Sequence, residues 1–476
     1  MSKKSNGAEN PRKVILFLSD LKTGSDVKEQ TYICPEDESP DGKYIKEVRG
    51  TQTNEAPVNY LLKAYKNVRE VLCIVTPVAE ESGAFEVLEA AVKKQKPETN
   101  VIKIPFKDKD KDKDKEDFAA GPLTEIMSRM KKGDEILLDT TGGLRDAIMQ
   151  LLLVSRALSF SGIPTVGAVY ANYGARQIVD CSHLIGLFDL VGGMLELASF
   201  GSVKTLRDYY GDTVEPEVKA LLDAMEGLQE DITLCRTRKL DRRIKDFNAA
   251  MEGAEGCEDP LIRALLPAFQ AKFGKKLSVP GLIRWCVNSD MLQQALTIYK
   301  ERIPAYVLRD RVDLVKVIDR KKLTDATTER LDKLLEQKKD YQTNEEAMFH
   351  LLAGMGRTLK WNPDYYSQEA NDWIEDPAVL TLENLEALID CSPYFQAVCP
   401  AEQLRDILMD YHYIRMLRNM INHANDQSTP NQEPLLNYLA RFGYKRPDEA
   451  GAGDIRLALE QGLKNLNPRP KKERRK

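Results

Sequence analysis

The sequence predicts an α/β N-terminal domain, built on a mostly parallel sheet with an inserted hairpin, followed by an all-α region. Three observations carry this. Short apolar runs alternate with helical patterns through the first 190 or so residues. Strand signals almost vanish afterwards. A chain of 476 residues is too long for one typical core, so two or three domains are expected. Lys13–Leu18, Val71–Thr76, Val101–Phe106, Glu135–Asp139 and Thr165–Tyr170 read in order as buried strands. Phe85–Lys94 and Asp146–Phe160 read as helices between them, the pattern of a parallel sheet covered on both faces. Gln30–Cys34 and Lys43–Val48, joined by Pro40-Asp41-Gly42, read as the hairpin. Lys107 to Asp117 alternates lysine with acid and reads as a solvated loop.

The second half reads as helices over Phe188–Tyr210, Glu217–Asn248, Leu261–Phe273, Ile283–Arg302, Thr328–Gln337, Asn344–Leu359, Leu382–Ile389 and Ala401–Asn425. Domain borders are expected at 11–190 and 191–466. A Pro-rich basic tail over 467–476 is expected to be disordered. The formal net charge is −5, which argues against a protein coated in nucleic acid. No run of about 18 apolar residues occurs, so no membrane span is expected. The short apolar run after the polar N-terminus reads as a strand, not a signal peptide. Eight scattered cysteines without a Cys-x-x-Cys pair suggest a reducing, cytoplasmic setting and no structural zinc.

Asp139-Thr140-Thr141-Gly142-Gly143-Leu144-Arg145 follows a strand and precedes a helix. In an open parallel sheet, ligands bind outside the carboxyl ends of the strands. Gly142 and Gly143 let backbone N–H groups approach a phosphate, and the helix N-terminus favours negative charge. Thr140 and Thr141 can hold ribose or phosphate oxygens, and Arg145 supplies a cation. The bland alternative is an ordinary tight turn. Ser19 to Ser25, with Ser19 and Thr23, and Ala171-Asn172-Tyr173 can face the same crevice. The dinucleotide and P-loop fingerprints are absent from this turn, which weakens NAD and ATP readings.

Arginine followed at short range by histidine, with an amide between, can cleave RNA without metal: the histidine moves a proton and the arginine steadies phosphate charge. The loose pattern is cheap, about one match by chance in such a chain, and three are present. Arg176…His183 lies in a strand-like stretch. Arg405…His412 lies off the apolar stripe Leu404, Ile407, Leu408, Tyr411, Ile414, Leu417, Ile421, toward a solvated face. Arg418 projects close to that stripe, where a charge needs a partner. Asn419 and His423 share a face at the helix end. A buried arginine paired with a carboxylate, beside a histidine favoured by the helix dipole, is the competing account. Arg418 and His423 are five residues apart, about 140° around an ideal helix. Two copies facing across a two-fold axis can therefore pool their groups. The run Arg236, Arg238, Lys239, Arg242, Arg243, Lys245 can track an RNA backbone, although exposed basic helices are more often solvated faces.

These segments carry a resemblance. The first strand with its Ser/Thr loop and the Asp-Thr-Thr-Gly-Gly-Leu-Arg turn resemble a CARF domain, the Rossmann-like sensor of type III CRISPR accessory proteins. Phe188-Asp-Leu-Val-Gly-Gly-Met-Leu-Glu-Leu and Gln294 to Pro304 are similar to segments of the same proteins, and Arg418-Asn-x-x-x-His423 resembles their HEPN ribonuclease motif. The resemblance spans both halves in the expected order. It implies an effector that is a homodimer, activated by cyclic tetra- or hexa-adenylate and cutting single-stranded RNA in antiviral defence. It assigns Arg418, Asn419 and His423 to catalysis. It assigns Ser19, Thr23, Thr140, Thr141, Gly142, Gly143, Arg145 and Asn172 to the ligand. The RNA 2′-hydroxyl would attack, leaving a 2′,3′-cyclic phosphate and a 5′-hydroxyl. No cofactor or metal is required, since no carboxylate cluster is spaced to hold one. Two rivals stand beside this reading: a CARF ring nuclease cleaving its own ligand through Thr23, Thr140 and Asn172, and a non-catalytic ligand-sensing adaptor.

Overall fold

A computed structural model of the chain describes residues 10–21, 28–35, 41, 44–106, 120–142, 145–211, 214–274, 276–337, 345–349, 394–422, 440 and 451–468. Thr23, Gly143, His423, the Lys/Asp run from 107, the expected helix at 382–389, most of that at 344–359 and the tail beyond 468 lie outside these residues. The chain divides into two compact units, Met1–Asp189 and Leu190–Lys476.

The N-terminal unit holds an eight-stranded sheet. Its strands are β1 (Arg12–Phe17), β2 (Gln30–Ile33), β3 (Glu47–Gly50), β4 (Val68–Val75), β5 (Asn100–Pro105), β6 (Glu135–Asp139), β7 (Thr165–Asn172) and β8 (Gln177–Asp180), in the order β3-β2-β8-β7-β6-β1-β4-β5. The run β7-β6-β1-β4-β5 is wholly parallel. Strand order reverses at β1, and β6 lies on its other side, so the topological switch point falls between them. β2 and β3 form the expected hairpin, pairing Gln30 with Gly50 and Ile33 with Glu47. β7 and β8 form a second, tighter one.

Alternate β1 residues feed two cores, because side chains of a strand point to opposite faces. Val14 and Leu16 meet Leu61 of α1 (Glu55–Ala64) and Leu88 of α3 (Ala84–Gln95), which follows the short α2 (Pro77–Glu81). Ile15 and Phe17 meet Ile126 of α4 (Ala120–Ser128) and Leu151, Val154 and Leu158 of α5 (Arg145–Phe160). Burial on both faces explains why the strands read as unbroken apolar runs.

α6 (Ser182–Phe200) follows β8. It is long and apolar enough, by length and composition alone, to cross a membrane. Length and composition do not distinguish a core helix from a span, and Leu190, Gly193, Met194 and Leu197 of this helix are buried, so the expectation of no membrane span is not overturned. His183, Asp189 and Glu196 interrupt the apolar run without lowering its average enough.

The second unit contains α7 (Lys204–Tyr210), α8 (Pro216–Thr233), α9 (Leu240–Ala254), α10 (Pro260–Phe273), α11 (Val279–Asn288), α12 (Leu292–Ala305), α13 (Asp325–Gln337), α14 (Ala401–Asn422) and α15 (Ala452–Asn465). Three expected helices are each two. The expected 188–210 helix breaks at Gly201, which has φ +72°, between α6 and α7. The 217–248 helix breaks at Cys235, φ 51°, and the 283–302 helix at Asp290, φ 57°. A left-handed residue ends a helix, but Cys and Asp do not announce one in sequence. A small antiparallel pair, β9 (Val315–Val317) with β10 (Phe395–Ala397), and α15 were not expected.

Candidate functional site: the switch-point crevice and the α14 arginine

At the carboxyl end of β1 the chain passes through Ser19, and at the end of β6 through Thr140 to Gly142. These turns are 120 or so residues apart in sequence, yet they touch. A Cβ built on Gly142 would lie 2.5 Å from Ser19 Oγ and 2.6 Å from the Phe17 carbonyl oxygen. Glycine is required here by close approach of backbone.

A buried polar network lies beneath. Asn54 Nδ2 donates to Asp139 Oδ2 at 2.7 Å and to the Phe17 carbonyl at 3.1 Å. Asn54 Oδ1 accepts from Ser19 N at 2.9 Å and from Gln52 Nε2 at 3.1 Å. Asp139 Oδ1 accepts from Thr141 N at 2.9 Å. Asp139 is fully buried, and desolvation pushes its carboxyl up to about 6 against the bonds that favour its charge.

The other expected ligand residues differ in their availability. Thr140 Oγ1 donates to the Val169 carbonyl at 3.2 Å. Thr141 Oγ1 accepts from Ala171 N at 2.8 Å, which ties the turn to β7. Asn172 Oδ1 accepts from Ala175 N at 3.1 Å, closing the β7–β8 turn. Arg145 begins α5, directly after the turn. Two of the three groups proposed for ring cleavage, Thr140 and Asn172, thus have structural partners, and the third, Thr23, lies outside the described residues. Asn54, Gln52 and the burial of Asp139 escaped sequence reading. A polar residue opening a helix is ordinarily its cap, so nothing marked Asn54.

In the helical unit, Leu404, Ile407, Leu408, Tyr411, Ile414 and Leu417 of α14 are buried as expected, but Ile421 is exposed. The buried face also takes in Gln403, Met409, Asp410 and Tyr413. Gln403 Nε2 donates to the Asn465 carbonyl at 2.9 Å, and Asn465 Nδ2 donates to Asp410 Oδ2 at 2.6 Å, locking α15 to α14. Tyr411 OH donates to the Lys300 carbonyl at 3.1 Å, which anchors α14 on α12.

Arg418 is mostly buried and lies 3.7 Å from Glu301 of α12, whose other carboxylate oxygen accepts from Thr237. Its Nη1 is 3.4 Å from Oδ1 of the exposed Asn419. Arg418 therefore has a carboxylate partner, as its position near the stripe demanded and as the competing structural account of this arginine expects. Arg405 and His412 are half-buried, not on a fully solvated face. The α14 helix packs on both α12 and α15, so its polar side is narrower than one amphipathic stripe implies. Arg176 lies in the turn between β7 and β8, with φ 52°, and His183 in the first turn of α6, so neither sits on the strand expected to carry the pair. Within the basic run, Arg236 pairs with Glu230 at 3.1 Å and Arg242 with Asp246 at 3.6 Å, which fits a solvated, ion-paired surface, whereas Arg243 reaches in to the buried Asp231 at 2.8 Å. Among the described residues, no three His, Cys, Asp or Glu side chains gather as a metal site.

No family model matches the chain, and no curated protein matches it. Among solved structures, the chain is similar to Enterococcus italicus Csm6 bound to cyclic hexa-2'-fluoro-hexa-dAMP. The alignment covers 96% of this chain and 94% of that one, at 10% identity and a TM-score of 0.36.

Proposed function

We propose that the chain is a cyclic-oligoadenylate-activated, metal-independent endoribonuclease of type III CRISPR defence, working as a homodimer. The observation that carries this reading is the convergence of the Ser19 turn and the Thr140–Gly142 turn at the switch point of a parallel sheet. That is where an α/β fold binds nucleotides. The glycine turn before α5 offers backbone N–H groups and a helix N-terminus to a phosphate.

Effector chemistry falls to the end of α14. Arg418, drawn toward Glu301 and beside Asn419, stabilises charge on the scissile phosphate. His423 takes the proton from the 2′-hydroxyl as its oxygen attacks phosphorus. The 5′-oxygen leaves and is protonated, giving a 2′,3′-cyclic phosphate and a 5′-hydroxyl. A composite site from two copies supplies the second proton-transfer group.

Support for a second copy comes from the N-terminal unit. Met149, Leu153 and Phe160 of α5 are 72%, 50% and 95% exposed, and Leu184 and Phe188 of α6 are 50% and 42% exposed. Arg156 of α5 pairs with Asp189 and lies 6.0 Å from the centre of the Phe188 ring, so the two helices form one face. Apolar patches of this kind mark association surfaces. The decisive experiment incubates purified protein and single-stranded RNA with cyclic tetra- or hexa-adenylate. One ligand is expected to raise cleavage strongly over a low basal rate. Equal rates with and without both ligands would remove the reading.

A further inference from the structure

We propose that Asn54 is a positioning residue that makes the two turns of the crevice move as one body, and so sets affinity for the activator without touching it. The inference rests on the crevice being the activator site.

Asn54 stands at the N-cap position of α1, yet its side chain makes no cap hydrogen bond. Asparagine is among the best residues at that position because its oxygen accepts from the first turn. Here the oxygen is turned away from its helix and toward the sheet. All four hydrogen-bonding capacities of the amide are used there. The oxygen accepts from Ser19 N and Gln52 Nε2. The nitrogen donates to the Phe17 carbonyl and to Asp139. Through Asp139 Oδ1 the link continues to Thr141 N.

Phe17 and Ser19 belong to the end of β1, and Asp139 and Thr141 to the end of β6, the two strands flanking the switch point. One fully buried side chain thus bridges both. Neither aspartate, which has no donor, nor serine, which is too short for two donors and two acceptors, can replace it. Gln52 fixes the amide's orientation: its Oε1 accepts from Asn54 N at 2.7 Å and its Nε2 also donates to the Ser19 carbonyl at 2.9 Å. Gly142 closes over the same atom, since a Cβ there would lie 2.7 Å from Asn54 Nδ2. The side chain is therefore enclosed on the crevice side and cannot be a ligand contact.

The test measures RNA cleavage by the full chain as a function of cyclic tetra- and hexa-adenylate, for wild type, Asn54→Asp, Asn54→Ser and Gln52→Ala. Direct binding of the same two ligands is measured by calorimetry. The Asn54 variants should need at least tenfold more activator for half-maximal rate, and Gln52→Ala severalfold more. All should reach the wild-type rate at saturation. A general loss of fold would instead lower the maximal rate. If the Asn54 variants do not fold, Gln52→Ala decides. A wild-type activation curve for folded Asn54 variants, or for Gln52→Ala where those fail, overturns the proposal while leaving the activator reading intact. A wild type that binds neither ligand overturns both.

Discussion

Replacing Asp139 with asparagine should change how the stability of the N-terminal sheet depends on pH. The Asp139 carboxyl is fully buried, and its pKa is raised from the ordinary 3.8 to about 6, chiefly by desolvation. A shift of that size corresponds to about 3 kcal/mol. Because the folded-state pKa is the higher one, the native state binds more protons between pH 4 and 6, and stability falls as pH rises through that window. The contribution is fully present below 3.8 and lost above about 6. The substituted amide cannot titrate, so the slope should disappear. Its nitrogen would face a donor in either orientation, Asn54 Nδ2 or Thr141 N, because both Asp139 oxygens are acceptors. That adds a pH-independent cost of about 1–3 kcal/mol. The variant should therefore be clearly less stable than wild type near pH 4.5 and close to it near pH 7.5. All three tryptophans, at 285, 361 and 373, lie in the second half, so fluorescence is the wrong probe. Hydrogen exchange of peptides spanning Arg12–Phe17 and Glu135–Asp139, corrected for intrinsic rates, reads the sheet directly. Parallel pH profiles for the two proteins would refute the assignment of a titrating charge to Asp139.

Other consequences follow from the same geometry. Gly142→Ala places a Cβ far inside ordinary contact with the Phe17 carbonyl oxygen. It should destabilise the turn by about 1–3 kcal/mol and weaken calorimetric binding of the activator about tenfold; unchanged binding would mean the turn has room to give. Met149→Asp with Leu153→Asp charges the exposed face of α5 and should convert a dimer to monomer in sedimentation. An unaltered dimer would move the interface elsewhere. Asp410→Ala leaves Asn465 Nδ2 without its carboxylate in a buried site and should lower the melting temperature of the helical unit, at a cost of about 1–3 kcal/mol; no shift would mean that lock is energetically idle.

Much of the architecture was legible because it rests on local patterns. Val71–Val75 and Glu135–Asp139 are buried on both faces, and such strands show as apolar runs. The glycine turn was legible because close backbone approach admits few residue types. Interior helix breaks were not, because Cys235 and Asp290 take left-handed conformations that their side chains do not advertise. Asn54 was invisible for another reason: its role depends on Asp139, 85 residues away in sequence, and on a sheet order that only folding creates. The α14 helix fell between these cases. Its apolar stripe was readable, and so was the need of Arg418 for a carboxylate, but neither Glu301 as that carboxylate nor the burial of Asp410 follows from α14 alone. Arg405 and His412 were placed too far toward solvent for the same reason.

The central claim is tested most directly by one cleavage experiment. Activator-saturated wild type, Arg418→Ala, His423→Ala and His412→Ala are compared on single-stranded RNA, each with and without EDTA. A histidine near its ordinary pKa of ~6.5 can exchange protons at neutral pH, and losing such a group costs on the order of 10² to 10⁴ in rate. Arg418→Ala and His423→Ala should stay folded, bind activator and lose nearly all cleavage. His412→Ala should keep most of it, and wild type should be indifferent to EDTA. An inactive His412→Ala beside an active His423→Ala would contradict the choice of residues, and loss of wild-type cleavage in EDTA would contradict the mechanism.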